Sequence, residues 1–484
     1  MKIPLRAVLL ITSIYILLPI IIFLFWWTNG WIGLMSALAV GIVVWTQSST
    51  IKGEYFAIPL RTGVIMILTL IVWTLLSGAG HRGFFDGDFI KHNALFGDLI
   101  TLKWPVRYLA KETGDVVYLV YYFAYYLPSA LIGKWFGWQA GNSALICWTL
   151  GGVILTLTWL FSFISPRKQL IYGLLFPLFS GLDGLGKLIM RDRVVNNEWE
   201  WWGRNWQYSG NTTLLFYVPQ HVLVGWILMG MIMFVIVKNK RMPLLILLLS
   251  TSLLWSPFVF LGIVPFYLIL LFRKRIVISS GEIGVSLLII LISSLFLFSN
   301  MTFYAKETSA NGWLWDTEKI VGSWTLIRLI LFYLFEFIIF SFFILRYLFK
   351  NRKGIEFVVF LTTLVLLILF PWYKIGLMND FAMRSSIPAL YIIFIFWIRT
   401  IIEVKKPRYI LYTMVTLLAI GSLYSFILIS NGAIHFSLIS RQGSLTQLEN
   451  PKIRMQYLGD SKSLMYTLFI SKDTTDNIGS ISLK

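Results

Sequence analysis

Apolar stretches such as Leu5–Trp27, LRAVLLITSIYILLPIIIFLFWW, recur along the whole chain and limit what it can become. A helix needs about 20 apolar residues to cross the ~30 Å hydrocarbon core of a bilayer. Runs of that order lie at roughly 5–27, 31–47, 58–79, 117–136, 142–164, 169–189, 213–237, 242–256, 257–272, 280–299, 323–348, 354–372, 385–402 and 408–430. They do not alternate in period two, as spanning strands would. With 58% hydrophobic and only 13% charged residues in 484, the chain reads as an all-α, polytopic transmembrane helical bundle. A soluble domain carries about 25% charged residues. Residues 1–430 form the membrane domain, and 431–484 a polar tail or small cap. Leu5–Trp27 is long for a signal peptide and is read as an uncleaved anchor.

The polar connections sort into two sets. Lys2/Arg6, Lys52/Arg61, Arg167/Lys168, Lys238/Lys240/Arg241, Arg273/Lys274/Arg275, Lys350/Arg352/Lys353 and Lys405/Lys406/Arg408 are short and basic. The positive-inside rule places these in the cytoplasm and accounts for the net charge of +19. Segments 80–116, 190–212, 300–322 and 373–384 mix Asp, Glu, Trp, Asn and Gly, and are assigned to the outer face. The sets alternate if 117–136, broken by Pro128, returns to the side it started from as an interfacial hairpin. About 13 crossings follow, with the N-terminus inside and the tail outside. No basic stripe with interleaved aromatics leaves a soluble domain, so nucleic acid is not an expected partner. The single cysteine, Cys147, excludes an intrachain disulfide and a thiolate zinc cluster.

Every chemically suggestive cluster falls on the outer set. In GHRGFFDGDFIKHNALFGDL, Asp86 and Asp88 precede Lys91, His92 and Asp98. From Asp88 onward the pattern predicts an interfacial amphipathic helix with Asp88 and His92 on one face. The reading is open between a solvated helix and a catalytic carboxylate with a basic neighbour. Asp183 follows among glycines, and Glu198, Glu200, Trp202 and further tryptophans crowd the next loop. These suit either an interfacial belt or a sugar platform. Gln220 and His221 enter an apolar run, a costly placement that marks function or a packed pair. Asp380 and Arg384 lie four apart in GLMNDFAMRSSIPAL, with Arg328 near the end of another run and Glu336 deeper in it. They read as a salt-bridge network or as guanidinium groups for a lipid phosphate.

The layout resembles the GT-C superfamily of integral-membrane glycosyltransferases, with Asp86 and Asp88 in the kind of first large outer loop that carries that superfamily's catalytic aspartate. The strings DGDFIKHNALFGDL, YYFAYYLPSALIGK, SGLDGLG, NTTLLFYVPQH and NDFAMRSSIPAL also resemble a bacterial subgroup of membrane proteins. In many GT-C members the acidic loop follows the first crossing, whereas three runs precede it here. The resemblance implies transfer of a sugar from a polyprenyl-phosphate donor to a lipid-linked or cell-envelope glycan, on the outer face of the cytoplasmic membrane. Asp88 or Asp86 would be the base, His92 its orienting neighbour, and Arg384 with Arg328 or Lys91 the phosphate ligands. Asp98, Asp183, Glu198, Glu200, Trp202, Gln220, His221 and Asp380 complete the expected substrate-binding set. The scattered carboxylates and four histidines define no metal site, so a divalent ion is not assigned. A glycan polymerase or ligase would use similar residues. A transporter or flippase would bury similar polar groups, usually with two related halves and broken helices. A non-catalytic assembly or receptor protein would need none of the acidic cluster.

Overall fold

The computed structural model describes residues 1–83, 87–190, 198–301, 311–317, 323–348, 354–376, 379–404, 407–438, 442–470 and 478–482. It is 74% helical. Apolar segments cannot leave backbone groups unpaired in hydrocarbon, and the helix pairs them within one segment. Strand β1 (Lys2–Pro4) leads into α1 (Leu5–Trp27) and α2 (Gly30–Ser48). Then come β2 (Tyr55–Ala57), α3 (Leu60–Leu76), β3 (Arg82–Gly83), α4 (Gly87–Thr101), β4 (Arg107–Ala110) and β5 (Val116–Leu119). Helices α5 (Leu127–Phe136), α6 (Trp138–Phe163), α7 (Pro166–Leu175), α8 (Asp183–Met190), α9 (Asn211–Tyr217) and α10 (Pro219–Lys238) follow. Next are α11 (Leu245–Trp255), α12 (Pro257–Phe272), α13 (Ser280–Phe298), β6 (Gly312–Trp313) and α14 (Leu314–Thr317). Helix α15 (Ser323–Tyr333) runs through a π turn at Leu334–Ile338 into α16 (Ile339–Leu348). The chain closes with α17 (Ile355–Leu369), β7 (Tyr373–Lys374), α18 (Asp380–Ser385), α19 (Ile387–Glu403), α20 (Arg408–Ile434), β8 (Ser437–Leu438), α21 (Pro451–Met455), β9 (Leu458–Gly459) and β10 (Gly479–Ile481).

Among the described residues, eight helices are long and apolar enough to cross a membrane: α1, α2, α6, α10, α13, the combined Thr325–Leu348, Ile355–Trp372 and α20. Helices α3, α11 and α12 are apolar but shorter. Helix α10 is central, with 94% of its apolar window buried, and packs on α6, α11, α12 and α19. Helices associate in lipid through close packing, which favours small residues at contacts. Gly133 and Gly141 serve this at the α5–α6 crossing, where a Cβ on Gly141 would lie 3.1 Å from the Gly133 Cα.

The polar connections gather at two ends. At the basic end β1 pairs with β2, Lys240 meets Glu54 at 3.0 Å, and Gln169 donates to the Ala57 carbonyl at 2.9 Å. Arg275 reaches the Asn239 carbonyl at 3.2 Å, and Lys168 meets Glu403 at 3.5 Å. The basic residues at 350–353 and 405–406 lie outside the described residues. At the other end β3 pairs with β8. Asn379 donates to the Asn205 carbonyl at 3.2 Å, and Gly376 N donates to Asn311 Oδ1 at 2.9 Å.

Two local expectations change. The run 117–136 opens as a strand: β4, β5, β9 and β10 form a four-stranded sheet in the order β10-β4-β5-β9, and the ten-residue α5 is only about 15 Å long. The run 169–189 is not one helix. Helix α7 stops at Leu175, and α8 starts at Asp183. Helices α11 and α12 form a hairpin: Met242 bridges Ile276 at its base, and Ser256, with extended φ −168° and ψ 102°, divides the arms.

Candidate functional site

Asp86 lies outside the described residues, as does the side chain of Asp88. Asp88 is the second residue of α4, so positions 88 and 92 stand about one turn apart. The His92 Nε2 lies 3.1 Å from the Tyr217 carbonyl, and its Nδ1 meets the Tyr126 hydroxyl. A carbonyl only accepts, so Nε2 carries a proton and donates to it. His92 and Phe89 line a cavity of about 20 Å³ with His81, Tyr126 and Pro219, room for about one water. His81 has a left-handed φ of 56° and donates to Asn142 Oδ1 across 2.7 Å. Burial pushes its pKa down to about 4, against the upward pull of the Asn142 bond, so its ring is neutral at pH 7.

A cluster of buried polar groups lies at the head of α10. Asp380 and Arg384 form an ion pair along one turn of α18, and the Arg384 side chain is only 11% exposed. The pair is therefore within one helix. The Arg384 charge reaches Tyr121 and Tyr122, where it lowers phenol pKa values that burial raises. Tyr122 lies over His221 with ring centroids 4.7 Å apart. His221 Nδ1 is 2.7 Å from Ser256 Oγ, and Ser256 also caps α12 through Val259 N. Both amide atoms of buried Gln220 and the Nε2 of buried His221 lack hydrogen-bond partners. Such an orphan costs about 1–3 kcal/mol. Three grouped at one helix head form a place where a polar ligand gains most.

Asp183, expected at the outer end of a crossing, and Glu200 and Trp202, expected to hold substrate in an outer loop, are buried. Asp183 accepts from Ser180 Oγ at 3.1 Å and Trp202 Nε1 at 3.3 Å. Glu200 accepts from Gly210 N at 2.9 Å, Thr213 Oγ1 at 2.6 Å and Gln207 Nε2 at 3.0 Å. Burial first, then the neighbouring Asp183 carboxyl, pushes Glu200 up to about 8 against these donors. The Trp202 ring packs on Gly186, where a Cβ would lie 2.3 Å from the indole. Trp206 is buried too and donates to the Pro371 carbonyl, and Trp199 stacks on Tyr424. Trp202 thus presents no exposed ring face. The loop turns inward because its carboxylates and indoles find buried partners. Glu198 lies 3.4 Å from the Tyr217 hydroxyl, which leaves it beside the residue that holds His92.

Asp98, also expected to bind substrate, is buried and acts as a tether. Its Oδ2 accepts from Tyr108 Oη at 2.7 Å and Leu445 N at 2.9 Å, tying α4 to the tail. Helix α4 does not lie open at an interface, because Gln442 and Gly443 dock on it. Lys91 and Arg328 are half-buried on α4 and α15. The structure thus gathers Gln220, His221, Asp380 and Arg384 in one region and sets Asp183, Glu200 and Trp202 in another. Tyr217 joins the α4 region to Glu198. Sequence reasoning passed over Tyr122, Tyr126, Ser256 and His81. The run YYFAYY read as interfacial tyrosine, whereas Tyr125 and Tyr126 are fully buried, and only its place beside the acidic loop pointed to a site. The chain matches no family model, no curated protein and no solved structure in the comparisons made.

Proposed function

We propose that this multi-pass membrane protein is a glycosyltransferase, taking a sugar from a polyprenyl-phosphate donor to a lipid-linked or cell-envelope glycan acceptor at the end of the bundle opposite its basic connections. The observation that supports this reading is the polar cluster at the head of α10. There the charge of the mostly buried Arg384 acts on Tyr122 and His221, and the neighbouring Gln220 amide has no hydrogen-bond partner among the described residues. By the positive-inside rule that end is extracytoplasmic, and about 13 crossings belong to the same reading.

In this mechanism an acceptor hydroxyl oxygen attacks the anomeric carbon. The bond from that carbon to the phosphate oxygen breaks, and the phosphate leaves with the electron pair. Asp88 or Asp86 takes the hydroxyl proton. Arg384 stabilises the charge developing on phosphate, where a fixed donor fork counts most. His221 and Gln220 supply further hydrogen bonds to phosphate or sugar. Attack opposite the leaving group inverts the anomeric centre.

A second reading is transport of a lipid-linked substrate. It draws on the α11–α12 hairpin and the α7–α8 break, since discontinuous helices characterise transporter sites. Arg384→Lys separates the two readings in labelled sugar transfer with purified protein. Transfer predicts a drop in turnover of about 100-fold or more from the lost guanidinium fork. No sugar transfer by the parent from any polyprenyl-phosphate sugar, together with movement of the labelled lipid between leaflets, would replace the first reading by the second.

A further inference from the structure

Asp183, expected in the substrate site, meets a second buried carboxyl group, Glu336, inside the bundle. Glu336 lies in the π turn of the 24-residue helix Thr325–Leu348, about 15 Å or more from either end. It is 3% exposed, and among the described residues no donor meets either carboxylate oxygen in good hydrogen-bond geometry. Its carboxyl group abuts that of Asp183 within hydrogen-bonding reach. A Cβ on Gly181 would come within 2.0 Å of its Oε2, so only glycine leaves room for it.

Helix α7 stops before the pair and α8 begins at Asp183. Across the gap the Phe176 and Pro177 carbonyls accept from Asn211 Nδ2 and Thr212 Oγ1 at 2.7 and 2.6 Å. The Leu182 amide donates to the Phe335 carbonyl, inside the π turn, at 3.1 Å. The interrupted segment is thus joined to the π turn that carries Glu336. π Turns recur where a helix has been adapted to a task.

We propose that Asp183 and Glu336 form an intramembrane proton-binding site, with one exchangeable proton held between the two carboxyl groups. Two carboxylates in contact away from water cannot both ionise, and a single shared proton turns the contact into a hydrogen bond. The groups facing the pair are Trp202, which donates to Asp183, Glu200 and Tyr208 from the loop, and Tyr424 from α20. Among the described residues, Asp183, Glu200 and Glu336 make no ion pair with Lys, Arg or His. No metal-sized grouping of His, Cys, Asp or Glu occurs either. With no cation beside it among the described residues, the pair is left to a proton. The site is separate from the polar cluster at the head of α10 and does not depend on the transferase reading.

The test is infrared spectroscopy of the full chain in lipid nanodiscs at neutral pH, in light and heavy water. Glu200 also carries a proton at neutral pH, so the Glu200→Gln chain is the reference: it should still show the carbonyl stretch of a protonated carboxyl, shifted by deuterium. Added to that chain, Glu336→Gln and Asp183→Asn, each a neutral mimic of the protonated group, should each remove it while keeping the reference's thermal midpoint. Glu54→Gln, at the basic end, should keep it. The absence of that band from the Glu200→Gln chain would overturn the proposal, as would its persistence when either Glu336→Gln or Asp183→Asn is added to that chain. A thermal midpoint that rises with sodium but not with choline at equal ionic strength would also overturn it, in favour of a metal cation. Should either variant fail to fold, the reference's own band must fade as pH is raised, and a band that never fades refutes exchange.

Discussion

Glu200→Gln should flatten the pH dependence of stability. In the folded chain Glu200 titrates near pH 8, raised from its ordinary 4.5 chiefly by burial. Between those values the folded state holds a proton that the unfolded state has released. Its contribution to stability is fully present below about pH 4.5 and is lost as pH rises through about 8. The slope is about 1.4 kcal/mol per pH unit, for a total of roughly 5 kcal/mol if the whole interval is realised. Glutamine carries no charge across this range. Its carbonyl oxygen keeps the Gly210 and Thr213 donors, and its amide faces Gln207, whose own amide flips to accept. The assay is thermal unfolding in detergent, followed by tryptophan fluorescence from about pH 5 to about pH 9, with parent and variant compared at each pH. The parent midpoint should fall steadily while the variant's falls less, with near coincidence at the acid end. Equal slopes for the two proteins would refute the reasoning. That result would mean that Glu200 stays ionised on its three donors throughout.

His81 predicts the opposite sign. Its pKa is depressed to about 4, so its contribution to stability is lost as pH falls from about 6.5 towards 4. His81→Asn, which tolerates the left-handed backbone, should blunt acid destabilisation in the same assay. Gly97→Ala should release the tail, because the new Cβ would lie 2.0 Å from the Gly443 carbonyl oxygen. Limited proteolysis should then cut within 437–450 faster than in the parent, and an unchanged rate would count against the docked tail. Ser256→Ala removes the α12 cap and the His221 partner together, at a cost of about 2–4 kcal/mol. A thermal midpoint within error of the parent would refute the hairpin apex as a structural element.

The sequence revealed what depends on composition. Leu5–Trp27 and its counterparts announce helices because few other structures satisfy a long apolar backbone in lipid. The basic connections suggested a common end, and the Lys240–Glu54 and Arg275–Asn239 contacts join three of them, at 52–61, 238–241 and 273–275. What stayed hidden depends on contacts between distant residues. Strand β5 finds its partner β9 more than 300 residues later, so VVYL read as part of an apolar run. The break between Leu175 and Asp183 lies inside nearly continuous hydrophobicity, where no period distinguishes helix from interruption. It is stabilised by Asn211 and Thr212 from another helix. Trp202 and Glu200 looked exposed because tryptophan and glutamate in a loop usually are. Their partners Asp183, Gly210 and Thr213 became neighbours only on folding. The polar cluster at the head of α10 was half legible: Gln220, His221 and Arg384 stood out as polar groups entering apolar runs, whereas Tyr122 and Ser256 gave no such signal.

The most direct measurement is transfer of labelled sugar from a panel of polyprenyl-phosphate donors to membrane glycolipids, with purified parent, Asp86→Asn and Asp88→Asn side by side. The account predicts labelled glycolipid from the parent and its loss in one of the two variants at unchanged thermal stability. Transfer undiminished in both variants would contradict it, because the start of α4 would then supply no base.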